Sequence, residues 1–234
     1  TPRTVGGFTG YTANISGSGL MQLVQDLYNF SFSDGTMTVN LGCAVECRDM
    51  YNYSTGAASS MTLNLTDSIS VKRNIILQAR TVAATGLTIN MNNASAKIRM
   101  DGVFDIRNNG GQITQGTAES IFYFGNLSNY LVNANIDYRN IGIESQTLSG
   151  NVNISKVINN VIIDGGKTLT TNGNDLLISA GNLVINGNIS ASTGDVLSMA
   201  GSSAQTITVN SATNVSVLDI SNTSGGVSIA GSGS

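Results

Sequence analysis

Along residues 152–229 short apolar cores recur with no helical pattern between them: Val161-Ile162-Ile163, Leu176-Leu177-Ile178, Leu183-Val184-Ile185, residues 196–199, Ile207-Thr208-Val209, residues 215–220 and Val227-Ser228-Ile229. Each is bounded by Gly, Asn, Asp or Ser, which is the pattern of brief strands closed by turns. Their onsets fall roughly 6 to 12 residues apart, so three steps span about 20 to 30 residues, the length of one turn of a parallel β-helix. Upstream, MTLNL, IILQA and LTINM set the same rhythm from Met61. The pattern predicts an all-β fold, a parallel β-helix (solenoid) over residues 61–234. Seven or eight turns are expected between residues 61 and 229, which at ~4.8 Å between stacked strands would make a rod of roughly 35 to 40 Å. Asn recurs at the turns, where it accepts left-handed backbone and can stack on the Asn of the next turn in a hydrogen-bonded ladder. Asn-Gly and Asp-Gly pairs at residues 34, 101, 172 and 186 are hairpin signals and keep an antiparallel sandwich or propeller open.

Residues 1–60 read as an N-terminal cap region. Leu20, Leu23, Val24, Leu27 and Tyr28 share one face at helical spacing behind Ser18 as N-cap, a short helix that either covers the open end of the coil or packs elsewhere on its surface. Cys43 and Cys47 follow, four residues apart. They either form a small loop disulfide in an oxidising compartment or stay free and buried.

The segment KIRMDGVFDIR, residues 97–107, has Lys97, Arg99, Asp101, Asp105 and Arg107 on one parity and Ile98, Met100, Phe104 and Ile106 on the other, with Gly102 as a bend. Asp101 and Asp105, with Asp137 and Arg139, are the one grouping that could carry acid-base chemistry on a polysaccharide. Cross-strand ion pairing on a solvated face is the plainer use of the same residues. Phe122, Tyr123, Phe124, Tyr130 and Tyr138 form the densest aromatic segment; alternation sends half of them into the core, and the rest could platform a sugar ring. Asp164-Gly165-Gly166-Lys167 lacks phosphate-loop spacing and reads as a turn. Asp175, Asp195 and Asp219 sit beside turns, but lone carboxylates are a poor calcium cage, and neither a metal nor a cofactor is expected.

Composition narrows the functions. The 234 residues hold no His and no Trp, which excludes Ser-His and Cys-His dyads and His-containing zinc sites within the chain. Charged residues are 11%, the formal net charge is -3, and no Lys or Arg follows Lys167, so a nucleic-acid partner is not expected. No apolar run approaches the length of a membrane helix. A start at Thr1-Pro2-Arg3 suggests a processed or truncated chain.

The strings DLLISAGNLVINGNISASTGD and NVSVLDISNTSGGVSIAGSG resemble passenger regions of bacterial autotransporters and filamentous-haemagglutinin-type adhesins, the rickettsial surface-antigen type among them. The resemblance covers about the last 150 residues and is compositional. It implies a secreted right-handed β-helix displayed on a bacterial surface and used in adhesion, with a host-cell or glycan ligand. The last segment, residues 225–234, carries neither charge nor Pro to protect a strand edge, so either the coil continues or copies stack end to end as a homo-oligomer, filament or surface layer. Two functions from different classes follow: a non-enzymatic surface scaffold or adhesin, and a polysaccharide-active lyase or depolymerase using Asp101, Asp105 and Asp137.

Overall fold

The computed structural model describes residues 11–16, 21–22, 29–33, 36–54, 60–79, 87–107, 111–114, 120–127, 130 and 136–233. Among them every strand pairing is parallel, and the strands stack as a β-solenoid. The chain clusters into two compact units, residues 1–121 with 133–137, and residues 122–132 with 138–234.

In the first unit the chain visits three faces in turn. Tyr11–Ser16, Thr36–Gly42, Ser60–Leu65, Leu87–Asn90 and Gly111–Thr114 form the first face, joined by Ile136 and Asp137. Met21–Gln22, Val45–Cys47, Ser68–Val71 and Lys97–Met100 form the second. Asn29–Ser33, Asp49–Ser54, Ile75–Ala79 and Phe104–Arg107 form the third. The coil is therefore already wound within residues 1–60. Met21–Gln22, which the helical spacing places in a capping helix, are instead a strand paired with Val45 and Glu46; backbone pairing to the next turn overrides local propensity. Residues 23–28 of that expected helix lie outside the described residues.

Register makes the core. Val39, Leu63, Ile89, Ile113 and Ile136 sit directly on one another across five turns, and all are buried. Strand alternation puts every second residue inward, and no single turn could hide that face alone. Cys43, Val45 and Cys47 form one such inward set; both cysteines are buried free thiols. A disulfide between them is not formed, because each sulfur packs into the core as a member of that set.

The second unit repeats the logic. Phe122, Ile141, Val161, Leu183, Ile207 and Ile229 stack on one face, carried by Ile121–Phe124, Ile136–Ile143, Val157–Ile163, Asn182–Ile185, Gln205–Val209 and Val227–Gly231. Gln146–Thr147, Thr168–Thr170 and Asn188–Ser190 make a second face. Val152–Ile154, Leu176–Ile178, Val196–Met199 and Val217–Ile220 make the third. The repeat length ranges from 19 residues, Phe122 to Ile141, to 29, Ser68 to Lys97, close to the expected 20 to 30. The Asn-Gly signal at Asn172-Gly173 turns a corner of the coil rather than a hairpin: Asn172 has φ 53° and Gly173 φ 79°, and the strands on either side belong to different faces.

Asparagine ladders form in both units. Asn64 donates to Asn40 (2.8 Å) and Asn90 donates to Asn64 (3.0 Å). In the second unit Asn160 donates to Asn140 (3.3 Å), Asn182 to Asn160 (3.4 Å), and the Thr206 amide donates to Asn182 (2.9 Å). Each amide is acceptor to one neighbour and donor to the other, so the row fixes vertical register without charge. Asn64→Ala removes the middle rung and strips partners from Asn40 and Asn90; a stability loss of about 1–2 kcal/mol is expected from the shift in urea midpoint.

Phe122, Phe124, Tyr130 and Tyr138 fill the interior of the second unit with ring centroids 4.8 to 5.7 Å apart. Tyr123 faces outward and is half-buried, as alternation requires. The Tyr130 hydroxyl accepts a hydrogen bond from the Lys156 amide at 2.8 Å. The Tyr138 hydroxyl is buried without a partner among the described residues; burial, with Tyr130 beside it, pushes its pKa well up. A buried hydroxyl lacking a partner costs about 1–3 kcal/mol, so Tyr138→Phe is expected to leave the thermal midpoint unchanged or raise it.

Candidate functional site

The charged segment at residues 97–107 is two strands, not one. Lys97–Met100 lies on the second face of the first unit and Phe104–Arg107 on the third, with a bend at Asp101-Gly102 between them. The corner is tight enough that a Cβ on Gly102 would lie 2.0 Å from the Arg73 carbonyl oxygen. Asp101 accepts from Arg99 Nε (3.1 Å) and Nη2 (3.0 Å), a half-exposed ion pair. Asp105 is half-buried on the third face. Asp137 registers with Thr114 on the first face, and its side chain is outside the described residues. Arg139, half-buried, belongs to the second unit. The three acids thus stand at a corner and on two different faces of the coil, and the backbone does not converge them as a glycosidase pair requires.

A different acid is the electrostatic centre of that corner. Asp49 is fully buried and receives Arg48 Nε (2.8 Å), Arg73 Nε (3.2 Å), Arg73 Nη2 (2.8 Å) and the Asn74 amide (3.2 Å). Desolvation raises its pKa, but the Arg73 and Arg48 guanidiniums and the Asn74 amide outweigh it, and the net shift is downward. Arg73 also follows Arg48 in the stack, its amide bonded to the Arg48 carbonyl at 2.7 Å. Neighbouring residues Val45 and Ile69 register 24 residues apart, so the Arg48-Asp49 and Lys72-Arg73 pairs recur at the turn period. That periodicity of charge is the signal by which the sequence could have exposed the network.

In the second unit the turn-side acids are engaged by their own coil. Buried Asp195 accepts from the Thr171 hydroxyl and, at 3.0 Å each, from the amides of Gly173 and Ser192; the Thr171 bond leads in holding its pKa below the ordinary carboxylate value. Asp219 accepts from Ser198 (2.7 Å) and Ser221 (2.9 Å), which lower its pKa likewise. Among the described residues no three His, Cys, Asp or Glu side chains gather as a metal site. Lys167 closes a turn on the Asp164 carbonyl at 3.0 Å, the turn reading of that glycine pair.

Two surfaces have the shape of contact sites. On the third face of the second unit a groove of about 350 Å³ runs past Asn151, Asn153, Asp175, Leu177, Val196 and Ser198. At the last turn, Leu218 registers with Leu197, Ile220 with Met199 and Ile229 with Ile207. The inner partners are buried, whereas Leu218, Ile220 and Ile229 are exposed, Ile229 by 64% against 3% for Ile207. They hold core register, and among the described residues no further strand pairs with theirs.

Because Asp195 has its pKa depressed by folding, its stabilising contribution is whole above the unfolded Asp value of about 3.9 and is lost as pH falls through the lower folded value. Asp195→Asn is therefore expected to be less stable than the parent at neutral pH, with the gap narrowing on acidification below about pH 4; chemical denaturation across a pH series checks this.

No family model matches the chain, and neither does any curated protein or solved structure.

Proposed function

We propose that the protein is a structural or adhesive β-helical scaffold of an extracellular bacterial surface, and that copies associate through the exposed register positions of Val217–Ile220 and Val227–Gly231. The observation that carries this reading is the pair of strands Val217–Ile220 and Val227–Gly231, whose core-register side chains Leu218, Ile220 and Ile229 face solvent above a buried stack. An edge strand with unpaired backbone groups and an apolar face is a template for another strand. Natural coils blunt such an edge with charge or Pro; here Asp219 is the one charged residue beyond Asp195, and two serines hold it. No Lys or Arg follows Lys167, so Asp219 is the one charge that this surface brings to a partner copy.

The compositional resemblance to autotransporter and filamentous-haemagglutinin-type passengers supports a displayed and exported setting. A polysaccharide-cleaving role gains no support, because Asp101, Asp105 and Asp137 occupy different places around the coil. Sedimentation velocity over a concentration series, with negative-stain microscopy, tests the assembly. Dimers or ordered polymers are expected for the parent, and monomers for Leu218→Asp with Ile220→Asp. A parent that stays monomeric at high concentration, or variants that assemble as the parent does, would sink the reading.

A further inference from the structure

We propose that the groove on the third face of the second unit binds a neutral saccharide chain. This names a ligand class for the display reading above and rests on it for its setting, while the groove is lined by residues 151–198 rather than by Leu218, Ile220 and Ile229. Leu177 is the middle residue of Leu176–Ile178; its neighbours Leu176 and Ile178 are buried, so Leu177 points outward and is half-buried in the groove. Asn153 registers with Leu177 from the turn before and Ser198 from the turn after. The Asn153 amide and the Leu177 side chain therefore follow one another at ~4.8 Å spacing, with buried Ser198, its hydroxyl given to Asp219, closing the row.

The polar groups around Leu177 are each anchored by one atom. Asn151 Oδ1 accepts from the Asp175 amide at 2.9 Å. Asp175 Oδ1 accepts from the Val196 amide at 2.9 Å. Asn153 Oδ1 accepts from the Ser179 hydroxyl. The Nδ2 groups of Asn151 and Asn153 and the Oδ2 of Asp175 are left uncommitted among the described residues, held at fixed positions because the other oxygen of each side chain is tied down. Two amide donors and one carboxylate acceptor suit a sugar, whose hydroxyls both donate and accept. Leu177 offers an apolar patch to the C–H face of the ring.

Charge and size narrow the class. Carboxylates disfavour acidic glycans here, since Asp175 in the groove and Asp219 in register with Ser198 would repel them. The volume of about 350 Å³ falls at the small end of ligand cavities. The stacking of equivalent positions lets a chain lie across successive turns, where Asp219 registers with Ser198.

Saturation-transfer NMR on the full chain, with cellohexaose, mannohexaose, xylohexaose and chitohexaose as neutral probes and hexagalacturonate as the acidic one, tests this. Transfer to ring C–H protons of at least one neutral probe, saturating with concentration, is expected. Leu177→Ala and Asn153→Ala replace outward-facing side chains and should each weaken that binding about tenfold, with circular dichroism matching the parent. Three results would overturn the proposal: no neutral probe binds, hexagalacturonate binds more tightly, or both variants bind as the parent does. Sedimentation of the same samples keeps the scaffold reading separate. Lost binding with assembly intact removes the groove alone, and lost assembly with binding intact removes the association of copies alone.

Discussion

A turn of this coil cannot hide its own inward face. Most strands carry two or three inward side chains, and their burial depends on the strand one turn earlier and one turn later in the same register. The stack Val39, Leu63, Ile89, Ile113 and Ile136 states the condition in five residues: slide one strand by a single position and its inward set turns outward. Pairing is parallel because the chain re-enters each face in the same sense after circling the other two. The variable repeat is absorbed at the corners, so that turns of 19 and 29 residues still present matching strands.

Holding register without charge is the second requirement. In an interior so apolar, ion pairs would be expensive, and the second unit after Lys167 uses none. Asparagine rows replace them, each side chain spanning one stacking interval. Where a carboxylate is buried, as at Asp195 and Asp49, the surrounding donors arrive mostly from the same or the adjoining turn. The acids therefore tie turns together.

Most strands were legible because each is an apolar core fenced by turn-forming residues; Leu176–Ile178, Asn182–Ile185 and Gln205–Val209 fall where the cores Leu176-Leu177-Ile178, Leu183-Val184-Ile185 and Ile207-Thr208-Val209 predict them. The asparagine ladder was legible for the same reason, since Asn returns at the repeat length. Corners were not. Met100 and Phe104 are both inward, and parity alone continues smoothly from one to the other although the chain changes face between them. At Met21–Gln22 a helical spacing coincided with a strand, and pairing to Val45–Cys47 decided the outcome. The Asp49 network stayed hidden because an acid beside an arginine looks solvated until the partner one turn later is counted. The groove was hidden by Leu177, which reads as core in sequence and is the one member of its apolar triplet that faces out.

The buried thiols give the coil an internal clock. Cys43 and Cys47 lie beneath the second face, buried in the interior, so a thiol reagent reaches them when Val45–Cys47 separates from its stacked neighbours Met21–Gln22 and Ser68–Val71. Modification at low reagent concentration then proceeds at the thiol's own rate scaled down by the population of that opened state. The second unit holds no cysteine, and the labelling rate belongs to the unwinding of the first unit by itself.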